Sequence, residues 1–508
     1  MTVKTLIAPA SSEDGAMIHA LHKAQQQARS KRDRWVGLWQ ECYDYALPQR
    51  DSFYGFDHAG QKRSDHLYDG TAMDSVDQLA ASLLAELTPP WSQWFGFKPG
   101  FALSKDEAET IAPKLENTAQ IMQTHFDRSN FATEIHQCFL DLVTAGTACL
   151  YFDRAATGAM TAFRFEAVPL SQVAIEQSEN GSMDITYRYR KISAGQIQND
   201  FVQAELPQEL VAKALKSPDT VFEVIEVVQP EGLAYRKICY LPQFVDKGGE
   251  AAILCSQLLQ SSPYIHFRWQ KSPGEIYGRS PVMKALPDIK TANKVVELVL
   301  KNASISVTGI WQADDDGILN PANIDLRPGT IIPKAVGSQG LTPLEMPARF
   351  DVSELVLSDL RARIRKSLMV DRLAQIEERQ MTATEVLERA REIVRLLGAT
   401  YGRLQSELLT PLIRRGYDLL RARGEIADLA LDGRYVALDY RSPMARAQQQ
   451  LSVQNTLNWL RSATELGAKA SEAIDVPEAV RHMGEALGVP SHLIRRELLD
   501  KGGENATS

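Results

Sequence analysis

Four of the chain's seven tryptophans fall between residues 35 and 94, and the residues around them are spaced for two amphipathic helices. Trp35, Leu38, Trp39, Cys42, Tyr43 and Ala46 recur at helical intervals, and Pro48 stops the run because it has no amide hydrogen to continue it. Ala72, Val76, Leu79, Ala80, Leu83, Leu84 and Leu87 repeat the pattern. Thr71 and Asp74 stand ahead of that stripe at capping-box spacing, and Pro89 and Pro90 end it. A charged loop at 60–65 and the segment Tyr68-Asp69-Gly70 lie between the two helices, and Trp91 and Trp94-Phe95 follow them. Helices this rich in large aromatics must bury a face against a common core, so the fold class is α+β and helix-rich once the later strands are counted.

Farther along, 105–127 reads as a helix, followed by one carrying Ile135, Phe139, Leu142 and Val143. The period then changes to two. Segments 147–152, 162–168, 185–189, 221–228, 235–241 and 264–269 read as strands of one antiparallel set, with a short helix at 208–216. Tyr277-Gly278-Arg279-Ser280-Pro281 punctuates the chain ahead of a helix with Ala292, Val295, Val296, Val299, Leu300 and Ala303 on one face. Roughly fifty turn-rich residues follow, with short strands such as 330–332 between them. The next helix starts near Asp351, with Glu354 as a capping partner and Leu357, Leu360, Ile364 and Leu368 as its stripe. A polar segment, 371–381, leads to a helix opened by Thr382 and Glu385 and ended by Gly398. A helix at 401–422 should kink at Pro411, and a strand at 435–440 precedes the last helices.

A chain of 508 residues accommodates roughly three domains. Its 44% hydrophobic and 24% charged content is ordinary for a globular protein, and no apolar run approaches the roughly 20 residues of a membrane span. The first residues lack the apolar core of a signal peptide, so synthesis in a cytosol is expected. The five cysteines form no C-x-x-C pair and read as buried thiols rather than disulfides or metal ligands. A net charge of −8 argues against gripping nucleic acid over the whole surface, yet permits a wall past which phosphates slide.

No phosphate loop, dinucleotide fingerprint, zinc helix or nucleophile elbow occurs, so no catalytic residue, cofactor or metal is assigned. Asp314-Asp315-Asp316-Gly317 lacks the alternating ligands of a calcium loop and reads as a turn. The sharpest basic feature is Arg361, Arg363, Arg365 and Lys366. Its plain reading is a solvated helix face with cations near the C-terminal end. Its functional reading is a basic girdle facing DNA or an acidic neighbouring subunit.

Three blocks together resemble the head-to-tail connector, or portal, proteins of short-tailed bacteriophages. The first is the aromatic block carrying Trp35, Trp39, Tyr43, Pro48, Asp69, Thr71, Pro89, Pro90 and Trp94. The second is the turn with Gly278 and Pro281, and the third runs from Thr382, Thr384 and Glu385 through Arg389 to Pro411 and Leu412. The resemblance implies a closed ring of identical subunits, a dodecamer, at one vertex of the virion, through which double-stranded DNA passes without its sequence being read. It implies a wing at 1–276, stem helices at 277–305 and 351–370, a small α/β clip at 306–350, a channel loop at 371–381, return helices of the wing at 382–440 and a helical crown at 441–508. Gln375, Glu377, Glu378, Arg379 and Gln380 would then face the channel. Their mixed charge departs from a simple basic clamp, and an ordinary helix connection is the other reading. Implied partners are other copies of the chain, major capsid and scaffolding proteins, a separate terminase and tail adaptors, with no membrane. A tail adaptor or other virion ring without a DNA channel is the alternative, and an enzyme with a site assembled from distant residues is a third class.

Overall fold

The structure, a computed structural model, describes residues 12–50, 53, 63–178, 181–245, 253–308, 311–313, 341–343, 350–370, 398, 400–429 and 431–442, and then 453, 456–465, 474–476, 479–480 and 483–484. The expected segments 330–332, 371–381 and 382–397 lie outside these residues, as does most of 441–508.

Helix α1 (Ser12–Ala46) has 35 residues, which at about 1.5 Å per residue is long enough to serve two hydrophobic cores. Its first half places Ile18, Leu21 and Ala28 against Tyr187, Ile197, Val227, Ile238 and Tyr240. Its second half places Trp39, Cys42, Tyr43, Ala46 and Leu47 in the larger core. That core is completed by α2 (Thr71–Leu87), α3 (Lys105–Asp127), α4 (Phe131–Ala145) and later helices. α1 stops at Ala46, two residues before Pro48, as the missing amide hydrogen requires.

The strands form separate sheets rather than one antiparallel set. β2 (Thr147–Arg154), β3 (Phe163–Ala167) and β9 (Tyr264–Arg268) form a three-stranded sheet in the order β3-β2-β9, against α4. β4 (Val173–Glu176), β5 (Ile185–Ser193), β6 (Val221–Glu231), β7 (Ala234–Tyr240) and β8 (Ile253–Leu259) form a five-stranded sheet in that order. The division arises because β2 pairs with β9 across more than a hundred residues, with Leu150 opposite Ile265. Local hydropathy carries no trace of such a pairing. β4, only four residues long, and β8, whose apolar residues do not alternate with polar ones, escape the sequence reading. So does β1 (Phe95–Pro99), which pairs with β12 (Val436–Tyr440) and ties the first third of the chain to the last. β10 (Trp311–Ala313) and β11 (Leu341–Pro343) pair with each other in the interval expected to be turn-rich.

Small helices α5 (Ala194–Asp200), α6 (Gln208–Lys216) and α7 (Pro242–Val245) cover the five-stranded sheet. Long helices α8 (Pro281–Thr308) and α9 (Phe350–Ser367) pack along each other, and α10 (Thr410–Arg423) closes the larger core.

Three local expectations are corrected. Thr71 and Asp74 do not form a capping box: Gly70 is the N-cap without a side-chain bond, and the Asp69 carboxylate accepts the Thr71 amide at 3.0 Å. A short acidic side chain two residues ahead reaches that amide first. The capping box forms instead at Ser104 and Glu107, where both reciprocal bonds are present. Gly398 does not end a helix but is itself helical. Finally, the kink expected at Pro411 takes the form of a π turn, Gln405–Leu409, just before α10. Pro411 cannot donate to the carbonyl one turn back, and the widened turn absorbs the mismatch.

The two sheets are joined by buried polar contacts. The Glu226 carboxylate accepts from Tyr264 at 2.8 Å and pairs with Lys237 at 2.9 Å. Thr186 Oγ1 and His266 Nε2 are 2.7 Å apart, and His266 Nδ1 has no partner. Burial, with the Arg268 guanidinium adding to it, pushes His266 down from 6.5 to about 3. Between those values the unfolded chain binds a proton that the folded chain refuses. The contribution is therefore complete above pH 6.5 and is lost as pH falls toward 3, at up to about 1.4 kcal/mol per pH unit. His266→Gln should show a shallower acid loss of stability than the parent, read as urea midpoints between neutral and mildly acidic pH. Parallel curves would mean that His266 protonates in the folded chain.

Candidate functional site

Residues of the first two sequence blocks, Trp35, Trp39, Asp69 and the Tyr277–Pro281 turn, meet at the base of the α8–α9 helix pair. Trp35 and Trp39 stack at 6.0 Å, Tyr277 meets Trp39 edge-on at 5.0 Å, and Phe53 stacks on Trp39 at 5.6 Å. The Arg279 guanidinium lies 5.2 Å from the Trp35 ring centroid, where a cation is attracted to the π face. Two of the three blocks thus form one aromatic pedestal.

The turn above it is fixed by backbone contacts. Gly278 donates its amide to Thr147 Oγ1 at 2.8 Å, and Ser280 Oγ donates to the Thr144 carbonyl at 2.8 Å. Ser280 Oγ also accepts from the Met283 amide at 2.8 Å, so it caps α8, and Pro281 occupies the first helical position where its ring suits the required φ. The motif Gly278-Arg279-Ser280-Pro281 is therefore a helix start held against the end of α4.

Asp69 is the junction of the site. Its side chain is 4% exposed and pairs with Arg361 Nε at 2.8 Å, while its other oxygen takes the Thr71 amide. Asn293 of α8 accepts the amides of Tyr68 and Asp69, at 2.7 and 3.2 Å, and donates to the His66 carbonyl at 2.9 Å. Burial disfavours the charged form of Asp69, but the Thr71 hydrogen bonds and Arg361 outweigh it and hold the carboxyl below its ordinary value. One carboxylate and one amide thereby tie α2, α8 and α9 together. The sequence marked Asp69 only through a resemblance, and nothing marked Asn293. An asparagine inside a helix gains its role from a loop more than two hundred residues away.

The basic cluster divides in two. Leu360, Ile364 and Leu368 are buried, as the stripe requires. Arg361 pairs with Asp69, and Arg363 pairs with Asp288 of α8 at 2.9 Å. Arg365 and Lys366 are exposed and make no ion pair among the described residues. On α8, Lys294 and Lys301 flank Glu297 at 2.8 and 2.6 Å, and Lys290 reaches Glu41 at 3.3 Å. Gln375, Glu377, Glu378, Arg379, Gln380, Thr382, Thr384 and Glu385 lie outside the described residues. Pro89 and Pro90 follow the end of α2, and Trp94 is buried, stacked on Phe131 at 6.0 Å.

Near Gly278, Arg268 donates to Glu407 from its backbone amide at 3.0 Å and from Nε at 3.2 Å. The π turn thus aims a carboxylate at the end of β9, a use no local pattern foretold. Among the described residues no group of His, Cys, Asp and Glu could hold a metal ion, and no helix is long and apolar enough to cross a membrane. The arrangement fixes two long helices to a rigid base and leaves their far halves open.

Known proteins share this chain's pattern. A protein named "Probable portal protein" of Bordetella phage BPP-1 is 25% identical over 498 residues, covering 92% of this chain and 87% of its own length. The portal protein of Salmonella phage epsilon15 is 22% identical over 507 residues, covering 94% and 89%. That of Escherichia phage T7 is 22% identical over 433 residues, covering 82% and 76%. A solved chain from the virion of a native gene transfer agent particle aligns over 86% of this chain and 96% of its own, at 12% identity and a TM-score of 0.37. The profile of the family described as bacteriophage head to tail connecting protein matches residues 19–494, and the chain belongs to that family.

Proposed function

We propose that this head-to-tail connecting protein closes with copies of itself into a ring, a dodecamer by the family resemblance, whose bore conducts double-stranded DNA during packaging and ejection. In this reading α8 and α9 are the stem, 306–350 the clip, 371–381 the channel loop, 382–440 the return helices and 441–508 the crown. The ring would seat in the capsid shell and meet terminase and tail adaptors at its ends.

One observation carries the ring. α8 and α9 are anchored at one end by Asp69 and Asn293, yet Leu298, Leu300, Leu355 and Val356 remain exposed, Leu355 at 73%. Exposed apolar side chains on both helices of the pair suit a contact surface for a partner. A ring gives each subunit two different contact faces, and a second copy covers what the first leaves bare. Sliding DNA needs phosphate contacts that are weak and indifferent to sequence. Arg365 and Lys366 suit that role because no acidic partner within the described chain neutralises them, unlike Arg361 and Arg363.

Electron microscopy of the purified full chain should reveal closed rings with an axial hole wide enough for duplex DNA. A stable monomer at micromolar concentration in assembly buffer would defeat the proposal. Arg365→Gln with Lys366→Gln should leave rings intact but alter DNA packaging or retention severalfold. Unchanged packaging would assign these two cations to solvation alone. Arg361 is unsuitable for this test, because its loss also strips Asp69 of its partner.

A further inference from the structure

Cys239 on β7 and Cys255 on β8 stand directly opposite each other in the antiparallel ladder. Opposed residues of such a ladder have Cα atoms about 4.5–5.5 Å apart, within the roughly 4.4–6.8 Å that a disulfide spans. Residues directly opposite in an antiparallel ladder point to the same face of the sheet, so the two side chains lie side by side. The ladder shifts register between Cys239 and Tyr240, which leaves the edge strand room to adjust.

Both residues line a cavity of about 520 Å³, together with Arg190, Lys237, Glu226 and Phe201. Cys255 is partly open while the other four cysteines are buried. Cys138 is buried, with its Sγ donating to the Cys149 carbonyl at 3.6 Å. Burial pushes the Cys42 thiol up to about 12. The geometry points to Cys239 and Cys255 as a dithiol modification site that a low-molecular-weight disulfide converts into a cross-strand disulfide.

The hydrogen bond from Cys239 holds the Cys255 thiol below its usual range despite burial, and Lys237 assists. The same contact and then burial push Cys239 up, so Cys255 is the first nucleophile. The Cys255 thiolate attacks one sulfur of the small disulfide, forming a mixed disulfide and expelling one thiolate. Cys239 then attacks the Cys255 sulfur, forming the cross-strand bond and expelling the second thiolate. Glu226 Oε2, 3.9 Å from Cys239 Sγ, is the acceptor in reach of the departing proton. Two protein thiols are oxidised, one small disulfide is reduced, and the two protons leave on the two released thiols. A cytosol keeps such a pair reduced, and exposed surfaces outside cells favour its oxidation. The bond would staple β8, the edge strand, to β7.

The test exposes the folded full-length chain to oxidised glutathione, unfolds it under acid quench, and counts thiols beside peptide mass mapping. Five free thiols should fall to three, with a Cys239–Cys255 cross-linked peptide and a loss of two hydrogens in mass. Cys239→Ser should instead stop at a stable glutathione adduct on Cys255, and unchanged circular dichroism would certify its fold. Retention of five thiols, or a parent chain that accumulates the glutathione adduct without the cross-link, would overturn the proposal.

Discussion

Gly278→Ala is expected to destabilise the folded subunit by about 3 kcal/mol, roughly 6–12 °C in the midpoint of the affected unit. A Cβ at this position would lie 2.2 Å from the Gly146 carbonyl oxygen and 2.8 Å from Arg268 Cβ. The first neighbour is backbone and cannot rotate away. Gly146 in turn has φ +79°, and a Cβ there would sit 2.6 Å from the Gly278 oxygen and 2.7 Å from the Ser280 nitrogen. The two glycines interlock the α4–β2 turn with the start of α8, so forcing them apart also misplaces Ser280 and the helix it caps. Ring yield should fall with stability. Gly37→Ala is the control: it lies in α1 with nothing within 4 Å of a new Cβ, and should be neutral or stabilising by roughly 0.5–1 kcal/mol. Thermal scans of both variants decide the matter, and equal midpoints would remove the interlock from the account.

Asp141→Ala should have an effect at least as large. The Asp141 side chain is 2% exposed and accepts from Arg50 Nε at 2.8 Å and from the Tyr43 hydroxyl at 3.1 Å. Truncation leaves the half-buried Arg50 cation and the buried Tyr43 phenol without their carboxylate. Breaking one side of a buried pair costs about 3–5 kcal/mol, because the surviving charge keeps its desolvation penalty. The double replacement Arg50→Met with Asp141→Leu should cost less than Asp141→Ala alone, since no stranded charge remains. Urea unfolding of the two variants tests the sign of that difference. A double variant that falls below the single one would show that the pair contributes net stability.

The legible parts of this chain were those governed by near neighbours. The α1 and α2 stripes, the bounds of α3 and α6, and the buried face of α9 follow from apolar spacing over a few turns. The aromatic block, the Gly278–Pro281 turn and the block from Thr382 to Leu412 together pointed to the family from sequence. The misreadings share a cause. A three-stranded and a five-stranded sheet look alike along the chain, because alternation says which face is buried and nothing about which strand lies alongside. The capping box at Thr71 failed because a competing acceptor sat two residues upstream, outside the motif.

Taken alone, the sequence determined the helix-rich α+β class and the two amphipathic helices with their proline stops, which depend on residue order over short range, and it pointed to a phage connector family through three separate blocks. Only the tertiary structure decided that Arg361 and Arg363 are bound to Asp69 and Asp288 while Arg365 and Lys366 stay open, and that Asn293 clamps a distant loop. It alone set Cys239 against Cys255. The physical reason is that a hydrogen bond or ion pair acts over about 3 Å of space, whatever the length of chain between its partners.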